Sequence, residues 1–497
     1  MKRIITKLLF FLLAFNIISC SKVDETPPNI NGGGSVQSGI TVTTIDATNI
    51  KTILATANCK VVVDPTLNSI SQKGVIWSIT QNPTTNLTTK TTDGNSTGDY
   101  QSQITNLQSN TKYYVRAYAT DKKGITTYGN EITFNTKVGW KSIFVGEMSY
   151  VIGLKADGTL WAWGSNNLGQ LGIGGNNQKN IPVQIGSEND WKQVSIGGAT
   201  ELINDHQGAY VLAIKNDGSL WAWGNNSHGQ LGTGNKLNSA TPIRVGNSND
   251  WKQTCASINT SSAIKNDGSI WQWGKSNVEF QSLQSNTPVI FTGINQINTF
   301  AIGVSDLTHL AAKKDGSIWA WGLNQAGQIG NGGTNVINNP IQIAKSLSFS
   351  SIYKSSFNSF GITASGQLYG WGYNAFGQLG DGTNENKSAP TLINTMNSCK
   401  LLSNSPNTTF AIKLDGTMWA TGSSNNGSFG NGIDLNQFYS FTKISNDNDW
   451  NSVFSASGYT FAIKNNGSLW VAGDNRFGQL GLGTPINYIS NIFVLVD

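Results

Sequence analysis

Three histidines, four cysteines and 28 acidic residues are what this 497-residue chain offers for acid–base, nucleophilic or metal chemistry. His206, His228 and His309 lie far apart, with Glu201 and Asp205 beside the first. A zinc site needs three or four converging ligands, usually with two of them at a short fixed spacing. Neither His-x-x-x-His nor Cys-x-x-Cys occurs. The histidines are expected on separate loops that could share one face, and no metal is expected to hold them together. No nucleophile elbow and no phosphate-binding loop is expected either. Five of the acids in the second part of the chain belong to one recurring turn, and the others form no recognisable carboxylate pair. The residue types therefore point away from catalysis and from any cofactor.

What the chain repeats is that turn. Asp157-Gly158, Asp217-Gly218, Asp267-Gly268, Asp315-Gly316, Ser365-Gly366, Asp415-Gly416 and Asn466-Gly467 follow one another at spacings of 60, 50, 48, 50, 50 and 51 residues. A period near fifty marks a repeat architecture. The second copy shows four extended segments, Trp191 to Val194, Val211 to Lys215, Ser219 to Gly224 and Pro242 to Val245. The Asp-Gly pair between the second and third is a hairpin turn, because Gly takes positive φ without strain. Four antiparallel strands per copy make a propeller blade. The 358 residues from Trp140 to Asp497, shared among seven copies, give about 51 each.

The recurring text AIK-DG-LWAWG-N--GQLG-G resembles the repeat of the regulator of chromosome condensation family. The resemblance covers about 140–497 and implies an all-β, seven-bladed β-propeller closed on itself. For activity it implies little, since one propeller carries unrelated functions. In the family a wedge projecting from the propeller helps displace nucleotide from a small GTPase. The ten or so additional residues of repeat two, between Gly197 and Gly208, match no such wedge, so exchange activity is not carried over.

The N-terminal third has a different texture. Residues 1–19 combine Lys2, Arg3 and Lys7 with an apolar run from Leu8 to Ile18, too short for a spanning anchor and suited to a signal peptide. The run ends Ile17-Ile18-Ser19-Cys20, which resembles the bacterial lipoprotein cleavage box and implies a lipid on Cys20. Residues 20–39, rich in Pro and Gly, read as a flexible tether. Lys22, Asp24 and Glu25 are similar to signals that send such lipoproteins to the outer cell surface. The expected location is the outer membrane, surface-exposed, or otherwise the periplasm or the medium. Residues 40–136 alternate, as in Tyr113, Val115 and Ala117 against Tyr114, Arg116 and Tyr118, and suit one β-sandwich. Their later strands resemble a fibronectin type III domain, which implies that Tyr113 ties a loop to a strand and that the domain is a spacer.

Charge excludes one class of partner. Without the three bases of the signal, Lys+Arg falls from 33 to 30 against 28 acids, a net charge of +2 with no basic stripe. Nucleic acid is therefore not an expected partner. Cys59, Cys255 and Cys399 fall in separate parts of the architecture and are expected unpaired, Cys399 as an apolar filler where other copies place Trp140, Trp191, Trp251 or Phe349. The tryptophan pairs Trp161/Trp163, Trp221/Trp223, Trp271/Trp273 and Trp319/Trp321 recur at one place and are expected in the packing between blades.

A partner surface is expected where the copies differ. By strand parity, the loops between strands one and two and between three and four share a face, opposite the Asp-Gly turns. Aligned on Gly-x-Asn-x-x-Gly, the third-to-fourth loops present Leu168, His228, Ala326, Phe376, Asn426 and Phe477, with Tyr373 and Arg476 beside them. Aromatics and Arg are enriched in binding hot spots; the alternative is that each ring packs on its own neighbouring loop. Glu201, Asp205 and His206, in the insertion of repeat two, join the candidates because inserted loops on a rigid scaffold carry recognition. The reading is a lipid-tethered, non-enzymatic scaffold that binds a protein through this face. Glycan binding is the alternative, and an enzyme acting on extracellular polymer is a third and disfavoured reading. A closed ring needs no second copy, so a monomer is expected.

Overall fold

The computed structural model describes residues 39–496 except 65, 67–68, 148, 199–207, 276–282, 303–307, 356, 425 and 484–487. The signal, nearly all of the tether with Cys20, and the trio Glu201, Asp205 and His206 lie outside the described residues. Every regular element among the described residues is a β-strand.

Seven strands form the first unit: β1 (Ile40–Thr48), β2 (Ala55–Val63), β3 (Ile70–Ser78), β4 (Gly98–Ile104), β5 (Lys112–Asp121), β6 (Thr126–Tyr128) and β7 (Ile132–Asn135). One sheet runs β1-β2-β4, the other β3-β5-β6 with β7 also on β5. Tyr113, Val115 and Ala117 face a common apolar core with Ala57, Val61, Val75 and Trp77. The Tyr113 hydroxyl accepts the Gln108 amide at 2.9 Å and so ties the preceding loop to β5. Tyr118, expected on the outer face, is buried as well. The backbone at Thr91 pairs with Val75 and covers that face, and Tyr118 donates its hydroxyl to the Thr91 carbonyl at 2.7 Å.

From Trp140 onwards come seven four-stranded antiparallel sheets, each from four consecutive strands: 140–184, 191–244, 251–291, 297–343, 351–392, 399–443 and 450–496. The turn between second and third strands is locked by its own side chains. In the second sheet the Trp221 indole donates to Ser219 Oγ at 2.9 Å, and Ser219 Oγ donates to Asp217 Oδ1 at 2.6 Å. The same relay runs through Trp161, Thr159 and Asp157, and through Trp470, Ser468 and Asn466. The fifth sheet loses all three parts together, reading Ser365-Gly366-Gln367-Leu368-Tyr369.

The relay predicts an acid response. Hydrogen bonds from Ser or Thr hold the carboxyls of Asp217, Asp267, Asp315 and Asp415 below their ordinary value of 3.8. A carboxyl depressed in the fold contributes stability that is present above the unfolded value and lost as pH falls through the folded one. The melting temperature is therefore expected to hold from neutrality to about pH 4 and to fall below it. Asp217→Asn, which copies the natural Asn466, should shallow that fall in a pH series of thermal melts.

Adjacent sheets share a recurring joint. The first residue of a sheet donates its amide to the turn glycine of the sheet before: Trp191 to Gly158 at 3.2 Å, Trp251 to Gly218 at 3.1 Å, Cys399 to Gly366 at 3.0 Å and Trp450 to Gly416 at 3.2 Å. The last sheet meets the first in the same way, Trp140 donating to Gly467 at 2.9 Å. The inner tryptophan of each pair seals the joint. Trp163, Trp223, Trp273 and Trp371 are buried and donate to the carbonyls of Gln479, Gln170, Gln230 and Gln328 at 2.8, 3.0, 2.8 and 3.1 Å. Trp321 is equally buried, but among the described residues its indole nitrogen has no hydrogen-bond partner, and the sheet before it lacks the Gly-Gln-Leu-Gly run.

Candidate functional site

In the first, second, fourth, fifth and seventh sheets the third-to-fourth loop is built around two buried amides, whereas the sixth uses the hydroxyls of Ser424 and Ser428 at the same places. Asn166 Oδ1 accepts the Leu171 amide at 3.0 Å, and Gln170 Oε1 accepts the Leu168 amide at 2.9 Å. The second bond recurs from His228 to Gln230, Ala326 to Gln328, Phe376 to Gln378 and Phe477 to Gln479, at 2.9, 2.9, 3.1 and 2.8 Å. With the backbone fixed from beneath, the residue two before the glutamine is turned outwards, and its identity is not constrained by the fold. This is why the position tolerates Leu, His, Ala and Phe.

The fifth and seventh sheets use it for large rings. Phe376 is 36% exposed and Phe477 45% exposed. Phe376 meets Tyr373 edge-on, with centroids 6.2 Å apart, and Tyr373 meets Phe357 edge-on at 6.3 Å. Phe357, on the first-to-second loop, was missed in the sequence because the alignment followed only the third-to-fourth loops. Its carbonyl accepts the Tyr373 amide at 2.9 Å, so the two loop classes do meet on one face. The Phe376 carbonyl in turn accepts Gln437 Nε2 of the next sheet at 3.3 Å. The result is a stiff row of three rings. Each packs on its neighbour, so the row offers edges and one partly open ring rather than a flat platform.

The remaining candidates are separate. Leu168 packs partly against the joint between first and second sheets. His228 is half-buried, its Nδ1 2.9 Å from Ser227 Oγ. Arg476 is engaged: its Nε and an Nη each approach Asp474 Oδ2 at 2.7 Å, and the Asp474 carboxylate is 6% exposed while the guanidinium is 61% exposed. Arg476→Ala strips a buried carboxylate of its cation and should cost about 1 kcal/mol in denaturant unfolding, the exposed guanidinium limiting the loss. A pure binding probe therefore spares it.

His309, expected on a loop, opens the second strand of the fourth sheet and is fully buried, its ring stacked 4.8 Å from Trp321. It occupies the position of Val211 and Ser261, which faces the preceding sheet. His228 and His309 are thus not brought together, and among the described residues no group of three His, Cys, Asp or Glu stands close enough to hold a metal. One stretch, Gly94-Asn95-Ser96-Thr97-Gly98, has the spacing of a nucleophile elbow, contrary to the expectation that none occurs. It is a loop between two strands, and the buried Lys73 ammonium donates to both the carbonyl and the hydroxyl of Ser96, at 2.8 and 2.9 Å, pinning it down.

A cavity of about 400 Å³ runs where the first strands of all seven sheets converge. Its polar side chains serve the joints: Ser195 Oγ accepts the Ala256 amide at 2.8 Å, Gln253 Nε2 donates to the Phe300 carbonyl at 2.7 Å, and Ser403 Oγ accepts the Ser455 amide at 2.9 Å. Buried Cys399 fills the apolar space expected of it, beside Phe360 and Leu402.

Known proteins share this arrangement. The sequence model of the regulator of chromosome condensation (RCC1) repeat matches residues 157–200, 217–264, 315–356 and 365–405, and a second model of that repeat matches 140–170, 191–230 and 351–378. The sheets are blades of an RCC1-type repeat propeller. The chain is 31% identical over 97 residues to the ultraviolet-B receptor UVR8 of Arabidopsis thaliana, covering 20% of each protein. It is 37% identical over 91 residues to the human X-linked retinitis pigmentosa GTPase regulator, covering 18% of this chain and 8% of that one. The matched stretch thus spans a fifth or less of the length of these curated relatives. Among solved structures, Prp20p of Saccharomyces cerevisiae has a TM-score of 0.58 at 21% identity, covering 69% of this chain and 87% of that one. Human WBSCR16 has a TM-score of 0.57 at 17% identity, covering 68% and 94%. At these identities the likeness to solved structures is one of fold.

Proposed function

We propose that this protein is an exported, lipid-anchored, non-enzymatic scaffold that holds a protein partner on the loop face of a closed seven-bladed propeller. In this reading the N-terminal unit is a fibronectin type III-like sandwich, as its two sheets and the Tyr113 corner favour, and Cys20 carries the lipid. The observation that carries the reading is the rigid, uncharged aromatic row Phe357, Tyr373 and Phe376, which the fold positions but does not require. Clustered aromatics on a preorganised backbone are what binding hot spots are made of. The Prp20p structure was described together with its binding to Gsp1p and histones, so a propeller of this fold can serve as a protein-binding surface. The edge-to-face packing of the rings favours a protein over a sugar, which stacks on open ring faces.

The geometry of the chain supports presentation of that face. The sandwich touches the propeller at Asn466, on the turn face. A tether attached through the sandwich leaves the loop face on the far side. The test is affinity capture from an envelope extract and a glycan array by the mature chain and by Phe376→Ala/Phe477→Ala, with thermal melts of both. A protein held by the parent and lost about thirty-fold in the double variant, at unchanged melting temperature, is the expected result. A glycan lost in this way would replace the protein reading, and retention of the partner by the variant would refute the proposed face.

A further inference from the structure

One joint of the ring is not crossed by the repeat chain. Among the described residues no sheet takes strands from both ends of the repeat region. Each other joint is spanned by continuous chain, as residues 185–190 span the first, while the sheets at 450–496 and 140–184 meet through side contacts alone. The sandwich lies on that joint. Ser109, on the loop between β4 and β5, donates its amide to the Asn466 carbonyl at 3.3 Å. A Cβ on Gly139 would stand 2.6 Å from Ser109 Oγ and 2.9 Å from Gly467 Cα, and a Cβ on Gly467 would stand 2.6 Å from the same oxygen. The connection has no slack. Thr136 donates to Thr111 at 3.0 Å, Lys137 to Lys51 at 3.2 Å and Asn110 to Lys137 at 2.9 Å, while the Gly139 carbonyl accepts Ala156 at 3.0 Å.

The repeat text carries the same message independently. Before the first tryptophan of a sheet stand Asp190, Asp250 and Asp449, each paired with a lysine (Lys215, Lys265 and Lys464) at 3.1, 3.0 and 3.0 Å. Gly139 takes that place at the unlinked joint. The turn Asp is likewise Asn466 there. The fifth-to-sixth joint lacks both carboxylates too, at Ser365 and Ser398, so what sets the unlinked joint apart is the glycine: the other six places hold Asp190, Asp250, Gln296, Ser348, Ser398 and Asp449, and a side chain at 139 would occupy the space that the Ser109 loop fills.

We propose that the sandwich is the clasp of the ring: continuous with the first sheet through Gly139 and seated on the last at Asn466, it supplies the connection the repeat chain lacks. This rests on the seven sheets closing into one ring, and on nothing about a partner. A linker holds two surfaces at high effective concentration, and a docked domain does the same.

The test uses the full chain carrying Ser109→Cys/Gly467→Cys. A Cβ on Gly467 would lie 3.3 Å from that of Ser109, close to disulfide reach. Oxidised and reduced forms of one protein share whatever the substitutions cost, so their difference isolates the lock. Amide exchange in 140–155 and 459–474 is expected to slow about tenfold on oxidation, with 309–322 unchanged. A wedge, Ser109→Phe, is expected to speed exchange in the same two segments. If neither lock nor wedge alters them, or if 309–322 responds equally, the sandwich is a spacer and the clasp is refuted.

Discussion

Trp223→Ala is expected to destabilise the protein by about 3–5 kcal/mol, the cost of removing a large buried ring. Trp223 has no exposed surface, packs against Trp191 of its own sheet, and donates its indole N–H to the Gln170 carbonyl of the sheet before. Its loss opens a cavity at the joint and leaves a buried carbonyl unpaired. Trp221→Ala, two residues away on the same strand, removes a half-exposed ring covered by the Lys215 ammonium and should cost distinctly less. The comparison, read from urea midpoints of the two variants, separates sealing of a joint from decoration of its rim. Equal losses would mean that the outer ring is as much core as the inner one.

The second large effect comes from two glycines of one loop. Gly232 and Gly234 both have positive φ, +74° and +86°. A Cβ at 234 meets nothing closer than Thr287 at 3.9 Å, whereas a Cβ at 232 would stand 2.7 Å from the Trp273 indole nitrogen. Gly234→Ala should therefore show only the cost of a left-handed backbone, about 1–2 kcal/mol. Gly232→Ala adds displacement of a fully buried tryptophan, a further 1–3 kcal/mol or so. Thermal melts of the pair measure the second contribution by difference. If the two fall together, the indole has room to move and the joint is looser than its geometry indicates.

The fold was legible because its rules repeat. The Asp-Gly turn, the Ser or Thr after it and the tryptophan two further on are one hydrogen-bond relay, so they appear and vanish together, as the fifth copy shows. Asn166 and Gln170 are buried loop builders, which explains why the Gly-x-Asn-x-x-Gly frame recurs. The candidate surface was legible only as departures from that frame. Phe376 and Phe477 stood out, but Arg476 read as a free hot spot because its partner Asp474 lies two residues away inside the same motif. Phe357 was hidden because its contact with Tyr373 joins loops of different class, and no spacing along the chain encodes that meeting. His309 looked like a loop residue for a related reason: the sequence does not say that its flanking aromatics Phe300 and Trp321 would enclose it.

That every sheet is one uninterrupted stretch of chain also bears on how such a gene can be rearranged. Six of the seven joints, the one between last and first sheets included, use the same amide-to-glycine bond, so the point at which the repeats begin is arbitrary to the packing. A circular permutant that bridges 496 to 140 with a connection copied from 185–190, and opens instead between two other sheets, would keep every sheet intact. Whole repeats can likewise be exchanged as units, since no strand is borrowed across a joint. Such an architecture lets single loops diversify while the frame that carries them is inherited unchanged.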